Sequence, residues 1–190
     1  MKLDRKTIEH DEEYLRQISS LIDFKKDDYK NIVDNLQDYC LNHAVYALAP
    51  VQIGIPKRII YVKNTSSNME NNVTENYDEN VIYINPEIIE TKGKTKFLEA
   101  CQSCTYTRGN KTFYYACEVE RPYSIKIEYF NLEGEKQTDT LEGFEATIFS
   151  HEYDHLNGIL HIDKSDEILE MTLDEMKQYR DEHPYEILEK

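Results

Sequence analysis

No apolar run in this 190-residue chain approaches the roughly 20 residues that a membrane-spanning helix needs. The opening, MKLDRKTIEHDEEYL, lacks the apolar core of a secretory signal and is too acidic for a typical transit peptide. Basic side chains are in deficit: 22 Lys and Arg stand against 37 Asp and Glu, a formal net charge of -15. Such a balance disfavours nucleic acid phosphates and anionic membrane surfaces, and reads mainly as solubility. Cysteines number four, Cys40, Cys101, Cys104 and Cys117, and their spacing is not that of a disulfide framework. Internal repeats are also missing. These absences together point to a cytoplasmic chain that binds neither nucleic acid nor membrane. The sequons at Asn64, Asn72 and Asn110 are then chance matches.

What remains is a chain with the means to fold. Hydrophobic residues make up 39% and charged residues 31%, a globular composition, and the length suits one domain covering residues 1–190. In residues 27–43, Tyr29, Ile32, Val33, Leu36, Tyr39 and Cys40 recur at helical spacing behind an acidic start. RIIYVK at 58–63 reads as a strand. Residues 64–80 are polar and Asn-rich, a loop inserted between strands, because 81–90 resumes as the β-branched VIYINPEIIE. Further strands are expected at 113–119 and 124–130, with a turn at Asn131 to Gly134. Helical spacing returns at Phe144, Ile148, His151 and His155, and Asn157-Gly158 is a stop signal. Residues 165–182 carry the pattern of a charged amphipathic helix. Cys40 and Cys117 read as reduced core residues.

The chemistry is concentrated in His151-Glu152-Tyr153-Asp154-His155. Two histidines four apart on a helix project from one face, a turn apart, where one ion can bridge them. The intervening Glu152 sits beside that ion, placed to take and return a proton. A catalytic site needs three protein ligands and an open position. A downstream carboxylate is one source of the third. A richer one lies upstream in Leu98-Glu99-Ala100-Cys101-Gln102-Ser103-Cys104, where a thiolate would suit iron or zinc. The CxxC formed by Cys101 and Cys104 leaves two other readings: a redox pair, or a closed Cys₂His₂ zinc site in which Glu152 is incidental. His10, His43, His161 and His183 have no ligand spacing and read as structural or solvent-facing.

Three segments resemble one family. His151 to His155 followed by Leu156-Asn157-Gly158 is similar to the HExDHLxG motif of peptide deformylase. Glu99-Ala100-Cys101-Gln102-Ser103 resembles that family's EGCxS motif, and Leu48-Ala49-Pro50-Val51-Gln52-Ile53-Gly54 the end of its GxGLAAxQxG motif. They occur in the family order, with Asn85-Pro86 between the first two along the chain, and the resemblance spans roughly residues 12–165.

The resemblance implies an α+β fold: small antiparallel sheets around a central helix carrying HExxH, with an N-terminal and a C-terminal helix. It implies that Cys101, His151 and His155 hold one divalent metal ion, typically Fe²⁺, with Ni²⁺, Co²⁺ or Zn²⁺ as substitutes. Glu152 would carry the proton to the leaving amine, and the Gln52 side chain and Gln102 backbone N–H would donate to the oxyanion. The substrate would be an N-formylated nascent peptide at the ribosome, the product formate, and the enzyme a monomer. Tyr46, Ala47, Leu48, Phe144, Thr147 and Ile148, with Phe97 and Leu98 nearby, would form the pocket for the methionine side chain. Arg121 is placed to partner Asp154.

The chain also departs from the family pattern. Val45 and Ala47 stand where the first motif has glycines, and Ala100 replaces the glycine of the second. Added side chains there narrow or reshape the cleft. The changed glycines motivate one rival reading, an amidase or peptidase acting on another acylated amine; a zinc-stabilised binding module with a Cys₂His₂ site is a second, non-enzymatic one.

Overall fold

The computed structural model describes residues 3–63 and 80–190. The insertion expected at 64–80 therefore lies outside the described residues, except for Asn80, which opens a strand. The chain runs α1 (Ile8–Leu15), α2 (Tyr29–Asn42), β1 (Ala47–Leu48), a 3₁₀ turn (Pro50–Ile53), β2 (Ile59–Lys63), β3 (Asn80–Lys92), β4 (Lys94–Arg108) and β5 (Lys111–Arg121). It continues through β6 (Ser124–Phe130), β7 (Lys136–Glu142), α3 (Phe144–Leu156), a second 3₁₀ turn (His161–Lys164), β8 (Leu169–Met171), α4 (Leu173–Glu182) and β9 (Glu186–Glu189). This is the α+β arrangement that the sequence implies. Among the described residues, no helix is long and apolar enough to cross a membrane.

The strands form two antiparallel sheets, one ordered β1-β2-β3-β6-β7 and the other β8-β5-β4-β9. The larger sheet is covered on both faces, which explains its unbroken apolar runs. Side chains alternate along a strand, so Ile59 and Tyr61 of β2 and Ile82 and Ile84 of β3 face one way. There they pack with Val33, Leu36, Tyr39 and Cys40 of α2. Ile60 and Tyr83 face the other way, against Ala146, Phe149 and Leu156 of α3. Each fully buried aliphatic side chain contributes roughly 1.5–3 kcal/mol, so the two layers fix α3 firmly on the sheet.

Local chemistry sets several boundaries. Asp28 caps α2 by accepting the Asn31 N–H. Asn85 adopts φ +51, and its side-chain amide grips both backbone groups of Ile22, at 2.8 and 3.0 Å. Gly158 ends α3 at φ +70, where a Cβ would stand 2.2 Å from the Arg16 carbonyl oxygen. The helix expected over 165–182 is shorter than its pattern. Residues 169–171 pair as β8 with β5, and Thr172 and Glu175 form a reciprocal capping box that starts α4 at Leu173. Strand pairing to β5 overrides the helical periodicity of the first residues.

The strand β4 contains the main irregularity. Ala100 pairs with Ala116 and Thr105 with Tyr114, so the four residues 101–104 face only Tyr115. This wide bulge breaks the inward-outward alternation and turns Cys101, Ser103 and Cys104 all into the interior. Leu15 of α1 and Leu160 pack over it.

Candidate active site

The bulge of β4 meets α3 at one end of a cleft of about 370 Å³. One ligand atom each from Cys101, His151 and His155 lie within 4.8 Å of one another. Cys101 Sγ is 3.4 Å from His155 Nε2. Glu99 Oε2 lies 2.8 Å from His151 Nδ1, which leaves Nε2 of that ring to face the cluster. Such an outer carboxylate is the usual orienting partner of a metal-binding imidazole. The donor set of one sulfur and two ring nitrogens therefore fits a single transition-metal or zinc ion. Cys104 is fully buried beside Cys101 but is not a member of this three-residue group, so the geometry gives no closed four-ligand site among the described residues.

Glu99 is itself held by Arg121, whose Nε and Nη2 donate to its two oxygens at 2.7 and 2.8 Å. Arg121 also donates to Asp154, the partner expected for it, and Lys164 Nζ lies 3.1 Å from the same carboxylate. Burial alone would raise the Glu99 pKa, but the Arg121 and His151 hydrogen bonds outweigh it and hold the group ionised. The Cys101 thiol is drawn well below its ordinary value, first by a hydrogen bond from Cys104 and, against burial, by His155 and His151. Burial would lower the His151 pKa, yet its contacts with Cys101 and Glu99 raise it.

Glu152 follows His151 and lies at the floor of the cleft, where it accepts the Ala49 N–H at 2.8 Å. Burial raises its pKa, opposed by the two histidines. Gln52 is set by the 3₁₀ turn that Pro50 begins. Its Oε1 accepts the Ala49 N–H at 3.0 Å, and its Nε2 donates to Cys101 Sγ at 3.2 Å and to Ser103 Oγ at 3.1 Å. The Ser103 N–H also points to Cys101 Sγ, at 3.4 Å. Gln102 lines the cleft, its side chain bonded to Arg5 at 3.0 Å.

Of the expected pocket residues, Tyr46, Ala47, Phe144, Thr147 and Ile148 line the cleft, as does Phe97. Leu48 does not. It is fully buried in the core beneath α2, because strand alternation turns it away from Ala47. Leu98 likewise packs beneath the cleft, with Ala116 and Met176. The stripe Phe144, Ile148, His151 faces the cleft, whereas α3 packs on the sheet through the neighbouring face of Ala146, Phe149 and Leu156.

Three further residues at the site have no local signature in the sequence. Arg5 and Arg180, from opposite ends of the chain, both line the cleft. His161 is buried, its ring centroid 5.5 Å from that of His151, its Nε2 bonded to the Tyr115 carbonyl at 2.8 Å. Burial, then the His151 charge, lowers its pKa to about 4, so it stays neutral. The sequence leaves His161 structural or solvent-facing; the structure buries it, and no ligand spacing marks its place beside a candidate ligand.

Comparison with known proteins agrees with this geometry. A family model described as polypeptide deformylase matches residues 5–170. A peptide deformylase of Rhizobium meliloti is 33% identical over 150 residues, 78% of each chain. The crystal structure of a probable peptide deformylase from Synechococcus phage S-SSM7 is 31% identical, covers 86% of this chain and 100% of that one, and superposes with a TM-score of 0.69. A peptide deformylase from Plasmodium falciparum is 31% identical over 94% of this chain and 91% of that one, with a TM-score of 0.66. Enzymes of this kind are metal-dependent hydrolases that deformylate N-formyl-methionyl peptides. The chain belongs to the polypeptide deformylase family.

Proposed function

We propose that Cys101, His151 and His155 hold one divalent ion, ferrous by preference, with Ni²⁺, Co²⁺ or Zn²⁺ able to replace it, and that Glu152 is the proton carrier of the deformylation. The observation that carries this reading is the meeting of one thiolate and two imidazoles within 4.8 Å, with Glu152 beside them in the same cleft. When bound, the ion would supply Lewis acidity toward a formyl carbonyl and an attacking water.

The chain's own residues supply the rest. The first peptide side chain enters the part of the cleft lined by Tyr46, Ala47, Phe144, Thr147 and Ile148. The Gln52 amide and the Gln102 backbone N–H donate to the oxygen that gains charge. Glu152, whose pKa burial raises, takes a proton from water and passes it to the departing amine. Formate and a free N-terminal amine are the products. Glu99, Arg121 and Asp154 keep His151 in one orientation throughout. The enzyme works as a monomer, folded as one unit over residues 1–190, in the cytoplasm on chains at the ribosome. Four free, buried cysteines support a reducing compartment.

The test is formate release from formyl-Met-Ala-Ser under anaerobic conditions with a defined metal. Glu152→Gln should keep one ion per chain and lose about 10²–10⁴-fold in kcat. A wild type inactive with both ferrous and nickel ions would favour a zinc-stabilised binding module. Activity confined to acetylated peptides would favour an amidase of another acylated amine.

A further inference from the structure

The wall of the cleft is backed by residues from the end of the chain. Phe97 of β4 and Phe144 of α3 both line the cleft and meet edge to face, ring centroids 5.3 Å apart. Tyr185, between α4 and β9, sits against both rings, 5.4 Å from Phe144 and 6.0 Å from Phe97. It lines a separate groove with Lys96, Tyr179 and Pro184 on the far side of that wall. Its hydroxyl lies 3.4 Å from Oγ1 of Thr147, another cleft residue. Arg180 of α4 grips the same wall from a second direction. Its guanidinium stands 4.9 Å over the Phe97 ring, and its Nε and Nη2 donate to the Leu98 carbonyl at 3.1 and 2.9 Å. Pairing of β9 with β4, Thr95 opposite Ile187 and Lys96 opposite Glu186, fixes the tail beside Phe97.

We propose that Tyr185, assisted by Arg180, sets the depth of the side-chain pocket and so its preference for a long unbranched apolar side chain such as methionine. Both act as positioning residues, through Phe97 and Phe144. Phe97 and Phe144 are each only half buried, so neighbours on the cleft side alone leave their rings free to turn. The edge-to-face contact of Tyr185 with Phe144 and its tilted contact with Phe97 brace both rings from behind. A fixed wall admits a slim side chain and refuses an aromatic one; a loose wall does neither well. The inference rests on the deformylase reading, because it takes the cleft as the site of the first residue of the peptide.

The test compares holoenzyme of wild type, Tyr185→Ala, Tyr185→Leu and Tyr185→Phe. Two readouts are taken: kcat and KM on formyl-Met-Ala-Ser and formyl-Phe-Ala-Ser, and calorimetric affinity for Met-Ala-Ser and Phe-Ala-Ser. Tyr185→Ala is expected to raise KM for the methionyl substrate and to cut the methionine-over-phenylalanine preference by about tenfold. Its kcat should stay within about twofold and its metal content at one ion per chain, since a pocket contact that binds ground and transition states alike acts on KM. Tyr185→Phe, which keeps the ring, should match wild type. Tyr185→Leu retains apolar volume without the ring and gives the answer if the alanine variant does not fold. Unchanged preference in folded Tyr185→Ala or Tyr185→Leu overturns the proposal. A wild type that releases no formate overturns only the deformylase reading; the calorimetric preference then still decides the role of Tyr185.

Discussion

Glu99 and Arg121 form a buried, two-pronged ion pair at 2.7 and 2.8 Å, and the same carboxylate reaches His151 Nδ1 at 2.8 Å. A strand residue therefore orients a helix residue through one carboxylate. Glu99→Ala should lower metal affinity about 10–100-fold by freeing the imidazole. It should also cost about 3–5 kcal/mol, because Arg121 is left buried without that partner. Metal titration and denaturant unfolding measure the two effects separately.

Removal of the ion should leave a folded protein. The two core layers around the larger sheet do not include the three candidate ligands. At an ion concentration about 100-fold above Kd, binding adds about 2.7 kcal/mol. For a chain of this size that corresponds to a Tm drop of about 5–11 °C on chelation. Differential scanning calorimetry with and without a chelator checks this. Complete unfolding on chelation would instead indicate a structural metal site.

Gly158→Ala should destabilise without touching the chemistry. The left-handed backbone alone costs about 1–2 kcal/mol for a residue with a Cβ. The new carbon would also meet the Arg16 carbonyl oxygen at 2.2 Å, and backbone cannot yield cheaply. A loss of about 2–8 °C in Tm is expected from the backbone term, with the clash adding to it.

Asp163 offers an acid-dependent contribution. Burial raises its pKa, but the Arg16 side chain and the Leu160 N–H more than offset that, so the folded value lies below the ordinary 3.8. A depressed folded pKa gives stability that is present above the unfolded value and lost as pH falls through the folded one. The pair is about one-third exposed, so its worth is at most about 1 kcal/mol. Asp163→Asn should therefore be less stable than wild type at pH 7, and the gap should close as pH falls below the ordinary 3.8 and through the depressed folded value. Denaturant midpoints followed down through that range decide it.

The central helix and α2 are legible from their helical hydrophobic period, the strand over 124–130 from its alternation, and the strand over 59–63 from a continuous apolar run buried on both faces. Grouping of the HExxH histidines with Cys101 follows from the resemblance in motif order, and the geometry places the three together. The bulge that turns Cys101 inward is not legible, since alternation predicts Cys101 and Cys104 on opposite faces. Leu48 belongs to the motif yet points into the core, because motif membership does not say which way a strand residue points. The start of α4 is not legible because the helical pattern upstream of Thr172 is overruled by pairing with β5. Arg5, His161, Arg180 and Tyr185 reach the cleft or its wall through contacts between distant segments, for which no local pattern exists.

The cleft draws on Arg5, the Val45–Gln52 segment, the β4 bulge, α3 and Arg180, so its walls come from segments far apart in the sequence. A chain cut after Lys164 would still hold every candidate ligand, yet it would lose Arg180 and with it one side of the cavity.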